Sequence, residues 1–325
     1  MKRIFSIALA VLLAGVMFMG CGNASAPATS KSDGKISIVT TSFSPYDFAR
    51  AIVGDKADIS MLLPVGAEAH SFEPTPQDVL RIQNCDVFVY VGGESDDWVD
   101  GILDGIDNPK MNFVTLMDCV DIVEEEIVEG MEDEEEEEGE EPADGDEEEV
   151  EYDEHVWTSP RNVRLIVQKI SDTVQLIDPA NAETYKQNTT DYLAKLDTLD
   201  QTFQDLVAGA VRKTIVIGDR FPFRYFADAY GLTYYAAFPG CSTETEASPA
   251  TVKFLIDKIK ADQIPVVFHI QLSNEKMANT ISEATGAKVL LLHSCEGVSS
   301  KDYESGKTYI DIMTENVYAL REALY

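Results

Sequence analysis

Short apolar, β-branched runs alternate with helical stripes along this chain, and the alternation occurs twice. Residues 35–41, 57–63, 86–91 and 111–116 read as strands, with amphipathic helices at 44–53 and 75–84. Residues 214–217, 232–236, 265–270 and 288–292 repeat the pattern, with helices at 223–230, 248–261, 274–285 and 310–324. Strands separated by helical crossovers pair in parallel, because a tight turn returns the chain antiparallel. Between the two sets, Tyr185, Thr189, Tyr192, Leu196, Leu199, Phe203 and Leu206 recur at steps of three and four. This is one stripe on a single helix over 179–208, with Asp178 placed to cap it and Pro179 in its first turn. At 1.5 Å per residue, some thirty residues reach about 45 Å, enough to join two bodies. The expected fold is α/β. Two lobes, residues 35–178 and 209–325, are each a parallel-sheet α/β sandwich, joined by one long rigid helix.

The chain begins differently. Lys2 and Arg3 precede an apolar run at residues 4–18, too short to span a membrane comfortably. Residues 1–20 therefore read as a secretory signal. Its end, Phe18-Met19-Gly20-Cys21, is similar to the bacterial lipoprotein cleavage box, which makes Cys21 the lipidated first residue of the mature chain. An ordinary signal peptide with an incidental cysteine is the alternative. Residues 21–34 are small and polar and read as a flexible tether. These features place the protein on the outer face of the cell membrane, held by a lipid anchor.

The formal net charge of −33 is concentrated in one stretch. Residues 124–154 hold 21 acidic side chains and no basic one; setting them aside leaves −12. An insert at 124–151 with this density of like charge buries too little apolar surface to offset ordering entropy, so it is expected to be disordered. Two readings stand for it: a weak, multivalent cation collector, or a solvated insert with no binding role. So acidic a chain repels nucleic acid phosphates. Beyond Cys21 there are four cysteines, Cys85, Cys119, Cys241 and Cys295. An even number in an exported protein points to disulfides. Pairing Cys85 with Cys119 and Cys241 with Cys295 would close each lobe on itself; Cys295 as a thiolate ligand is the rival reading.

The chain has only four histidines. Two stand in loops beside Pro, an aromatic and acids: His70 opens HSFEPTP, and His155 opens HVWTSP. A neutral imidazole is the commonest zinc ligand. Either phrase alone is weak. The two in this order resemble the first and second metal loops of the zinc/manganese solute-binding proteins of bacterial ABC importers, and the likeness extends from about residue 35 to 325. It implies a monomeric, non-enzymatic binder that captures a divalent cation between the lobes and hands it to an ABC permease. Zinc is the expected ion and manganese the alternative.

The resemblance makes His70 and His155 ligands, with Glu73 and Trp157 as supports. The family's third ligand, a His or Glu after the first strand of the second lobe, falls at Asp219 or at Arg220, and a guanidinium is no ligand. Asn274 lies nearest the fourth, acidic position, and His269 reads as a packed histidine. His293, in the loop after the last strand, is expected to compensate. The expected set is His70, His155, His293 and Asp219. Three imidazoles with one carboxylate suit tetrahedral zinc, and fewer imidazoles shift preference toward manganese. The rivals are a zinc hydrolase with an open coordination position, which lacks any HExxH or Ser-His-Asp phrase here, and a metal-binding surface adhesin built around the acidic insert.

Overall fold

The computed structural model describes residues 34–131, 151–242 and 247–325. The signal segment, Cys21 and the tether up to residue 33 lie outside the described residues, as do residues 132–150 of the acidic insert. In the first lobe β1 (Ile36–Thr40), α1 (Phe43–Val53), β2 (Ala57–Met61), α2 (Pro76–Asn84), β3 (Val87–Tyr90), α3 (Trp98–Leu103) and β4 (Asn112–Thr115) follow one another. Then come α4 (Pro160–Ile177) and α5 (Ala182–Ala208). The second lobe runs β5 (Thr214–Arg220), α6 (Arg224–Tyr230), β6 (Thr233–Phe238), α7 (Pro249–Asp262), β7 (Val266–His269), α8 (Lys276–Thr285), β8 (Lys288–Leu291), α9 (Ser300–Glu304) and α10 (Tyr309–Leu324).

Both sheets are parallel and share one topology. Their orders are β2-β1-β3-β4 and β6-β5-β7-β8. In each, the chain goes to one side of the first strand and then returns to build on the other. That reversal opens a crevice beyond the strands' carboxyl ends, where α/β folds gather ligands. The eight strand segments read from the sequence all form, shorter by one or two residues at most ends because the last pleats lie outside the ladder. Two apolar clusters belong to single lobes. The largest crosses both, and includes Ile38 and Val89, Leu196 and Phe203 of α5, and Ile217 and Leu320. The 27-residue α5 packs on α1 and α4 of the first lobe and on α10 of the second. This is how the long helix joins the lobes.

Three expectations need correction. The long helix starts at Ala182, not in the turn at Pro179. Asp178 closes α4 instead, and its carboxylate accepts from Asn181 Nδ2 at 2.8 Å and from Tyr185 OH at 2.6 Å. A helix went unread at Pro160–Ile177, although Val163, Ile166, Val167, Ile170 and Val174 form a buried stripe behind a first-turn proline. The expected disulfides do not form: Cys85, Cys119, Cys241 and Cys295 all remain thiols. Cys85 Sγ lies 3.5 Å from Met111 Sδ, and Cys119 Sγ donates to the Thr115 carbonyl at 3.2 Å.

The described ends of the acidic insert have structure. Glu124 bridges antiparallel to Tyr152, Glu125 N–H donates to the Glu151 carbonyl at 3.0 Å, and Asp153 N–H donates to the Val123 carbonyl at 3.0 Å. The stem is also fixed to the second lobe, where Glu125 accepts from Cys241 N–H at 2.9 Å and Glu126 accepts from Tyr234 OH at 3.0 Å. Residues 124–131 and 151 thus leave the expected disordered stretch, because backbone pairing supplies what their side chains cannot.

Candidate metal centre

Three segments, two at the carboxyl ends of strands and one just before a helix, converge between the lobes. The loop after β2 brings His70, the segment before α4 brings Glu154 and His155, and the loop after β8 brings Glu296. One donor atom from each of these four side chains lies within 4.8 Å of all the others. All four are buried or nearly so: His155 and Glu154 show 0 % of their surface and Glu296 3 %.

The donors are aimed by neighbours. His155 Nδ1 sits 3.2 Å from Asp153 Oδ1, and the same oxygen accepts His155 N–H at 2.8 Å. That carboxylate keeps the proton on Nδ1 and leaves Nε2 as the binding atom, the arrangement by which outer carboxylates orient ligand histidines. Nε2 is buried with no close hydrogen-bond partner among the described residues, and the Cys241 thiol stands near the ring. Trp157 packs on the ring at 5.3 Å between centroids, and its Nε1 donates to the Ser294 carbonyl at 2.8 Å. His70 Nδ1 is 3.1 Å from Ser95 Oγ, and its Nε2 is 3.3 Å from Glu296 Oε1. Ser95 also holds Glu154, by its hydroxyl and by N–H at 2.8 Å. Gly93 makes room for this: a Cβ there would stand 2.8 Å from that of Glu154, and its φ of 86° suits glycine.

The loop carrying Glu296 is built with strain. Cys295 has φ 65°, unfavourable for a residue with a Cβ. Its N–H donates to His293 Nδ1 at 2.9 Å, and its carbonyl accepts from Ser44 Oγ at 2.6 Å. Asn316 in turn brackets the His293 backbone, accepting its N–H at 2.9 Å and donating to its carbonyl at 2.8 Å. The turn presents Glu296 to the cluster while the His293 ring faces back into the loop.

Charge is costly in this crevice, and protonation follows. Burial raises Glu154 to about 7 and raises Glu296 as well. Burial, with the positive charges of His155 and Arg220 nearby, drives His70 down to about 2. Burial also opposes a charge on His155, but Asp153 outweighs it and holds that ring well above the ordinary value. A divalent cation would replace those protons and settle two carboxylates and two imidazoles at once. Nitrogen and oxygen donors of this kind, two and two, fit tetrahedral zinc, and the second carboxylate makes a harder ion such as manganese more acceptable.

Of the four donors expected from the sequence, the structure brings together His70 and His155. His293 and Asp219 are not in the group. His293 is spent on the Cys295 turn, and Asp219 Oδ1 accepts Arg220 N–H at 3.0 Å at the end of β5. His269 sits at the end of β7 with Nδ1 2.9 Å from the Ile270 carbonyl. The two missed members, Glu154 and Glu296, stood in the phrases already singled out. One directly precedes His155, and the other ends the His293-Ser294-Cys295-Glu296 run.

Residues 38–323 match the family described as ZnuA, zinc-uptake complex component A, periplasmic. The chain belongs to this family. The ZnuA-family chain is 33% identical over 334 residues to the high-affinity zinc uptake system protein ZnuA of Bacillus subtilis (strain 168), covering 99% of this chain and 97% of that one. It is 32% identical over 323 residues to the zinc-binding lipoprotein AdcA of Streptococcus pneumoniae (strain ATCC BAA-255 / R6), and there it spans only 61% of the relative. The crystal structure of the Zn(II)-bound ZnuA-like domain of Streptococcus pneumoniae AdcA superposes with a TM-score of 0.72 at 29% identity, covering 90% of this chain and 99% of that domain. Among the described residues no helix is long and apolar enough to cross a membrane.

Proposed function

We propose that this protein is an extracytoplasmic solute-binding protein that captures one zinc ion between its lobes and delivers it to an ABC permease. The observation that carries the reading is His155 Nε2, a fully buried donor with no close hydrogen-bond partner among the described residues, aimed by Asp153 at three further donors. A buried polar atom without a partner costs about 1–3 kcal/mol, and a bound cation removes that cost. His70, Glu154, His155 and Glu296 hold the ion as cargo. His293 and Asp219, the other residues expected from the sequence, act outside the ligand set. The protein does no chemistry on the ion: two imidazoles and two carboxylates fill a tetrahedral shell and leave no position for an activated water. Release comes through small shifts of loops, since one apolar core spans both lobes. Cys21 carries the lipid anchor, and the protein works as a monomer on the outer face of the membrane.

Titration of the metal-free protein with zinc tests the reading. One equivalent should bind, and His155→Ala and Glu296→Gln should each remove that binding while retaining the fold by circular dichroism. Zinc bound as tightly by His155→Ala as by the parent chain would place the site elsewhere. Mass spectrometry of the membrane-extracted protein tests the anchor, with diacylated or triacylated Cys21 expected.

A further inference from the structure

Arg220 stands where a cation is least expected. It closes β5, after an irregularity in the pairing with β6 between Ile217 and Arg220. Only 9 % of its surface is exposed, and its charge is felt at both His70 and Glu296. The guanidinium faces a carboxylate of the other lobe. Nη2 donates to Glu68 Oε1 at 2.5 Å, while Nη1 donates to the Ser242 carbonyl at 3.3 Å within its own lobe. Glu68 lies two residues before His70, in the loop that supplies that donor.

Elsewhere the second lobe meets that loop at the His70–Glu296 contact of the cluster and through backbone. Gly66 N–H donates to the Val298 carbonyl at 2.9 Å, and the Ala67 carbonyl lies 3.1 Å from where a Cβ on Gly297 would be. The Glu68–Arg220 pair is the side-chain link between the His70 loop and the end of β5. Its arrangement separates two roles for one residue. The positive charge opposes the bound cation, and the ion pair holds His70 against it.

Resting on the zinc-capture reading above, we infer that Glu68 and Arg220 form a latch across the cleft that sets how long the ion is held. With the latch closed, the His70 loop is fixed and the ion leaves slowly. When the pair parts, the loop carries His70 away from Glu296 and the ion loses a ligand. Arg220 is a positioning residue in this scheme, since it touches no metal.

The experiment is stopped-flow release of zinc from the loaded protein into excess chelator, for the parent chain and for Glu68→Gln, Arg220→Gln and the double variant. Parent-chain binding of one equivalent, lost in His155→Ala, checks the underlying reading separately. Glu68→Gln keeps the Arg220 charge and breaks only the pair; release should quicken about three- to tenfold, the size of a partly buried ion pair. Arg220→Gln should quicken release too, although equilibrium affinity falls less than in Glu68→Gln because a repelling charge has gone. The double variant should release no faster than the quicker single one. The exchanged pair Glu68→Arg with Arg220→Glu should return release toward the parent rate, a rescue that a merely structural role does not predict. Release within twofold of the parent in Glu68→Gln, or single effects that multiply in the double variant, would overturn the latch. Melting curves of the metal-free variants identify any that do not fold, and for those the release rate of the exchanged pair decides between latch and no latch.

Discussion

Two regions meet along the same seam between the lobes, and they are built on opposite rules. One is the apolar packing around α5, where Phe48 and Tyr309 are fully buried with ring centroids 5.1 Å apart. One polar group entering it finds a backbone partner, Tyr309 OH donating to the Trp157 carbonyl at 2.9 Å, while Tyr192 OH beside Phe48 is buried with no partner among the described residues. The other is the cluster of His70, Glu154, His155 and Glu296, where buried titratable groups press on one another and Nε2 of His155 has no close hydrogen-bond partner among the described residues. The first region holds the lobes together whether or not a ligand is present. The second is unfavourable as it stands, and on the proposed reading a cation would relieve it. Stability and function therefore occupy neighbouring volumes that share Trp157, whose carbonyl accepts from Tyr309 and whose ring packs on His155.

The sharpest way to break that comparison is Phe48→Ala. Emptying this site should lower unfolding free energy in urea by about 4 kcal/mol, with zinc affinity of the folded protein within about threefold of the parent. A tenfold loss of affinity would mean that the apolar seam also sets the ligand geometry. The converse test is His155→Ala, for which zinc affinity should fall by more than about a hundredfold, near 3 kcal/mol. Zinc should then no longer raise the melting temperature, as it is expected to do for the parent chain.

His293 sharpens the boundary between the regions. Burial depresses its pKa from 6.5 to about 4. The unfolded chain takes up a proton below 6.5 and the native one does not, so stability is lost as pH falls from 6.5 toward 4. By pH 5 that loss is about 2 kcal/mol. In His293→Gln the metal-free protein should lack this component, seen as a flatter stability profile between pH 7 and 5; equal slopes would remove His293 from the account. Asp153→Asn should weaken zinc binding by about tenfold through loss of ring orientation, with little change in metal-free melting. The smallest effect is expected on removing residues 132–150, for which affinity at the tight site should stay within about threefold, because the four described donors all lie outside that stretch. A larger drop would favour the cation-collector reading of the insert.

The strands were readable because each is a short β-branched run bounded by turn residues, and parallel pairing follows from the helices between them. The α5 stripe was readable for the same reason, though its start was not. Asp178 and Pro179 have the right types for a helix beginning, but Asp178 is engaged by Asn181 and Tyr185 and closes the previous helix. The cysteines misled because parity counts residues and carries no distances. His293 misled because a histidine after the last strand of a parallel sheet lies in the right loop, and only the backbone of Cys295 decides which way the ring turns.

By itself the sequence determined two parallel α/β lobes on a long helix, and two imidazole loops in a fixed order. Periodicity and local phrase carry that information, since both act over a few residues. Which carboxylates complete the cluster, which histidine is spent on a turn, and that Arg220 faces Glu68 from the other lobe were decided only in three dimensions. Most hydrogen bonds that join the lobes link residues far apart in the chain, such as Glu68 with Arg220 and Ser44 with Cys295, and no local preference of the chain specifies them.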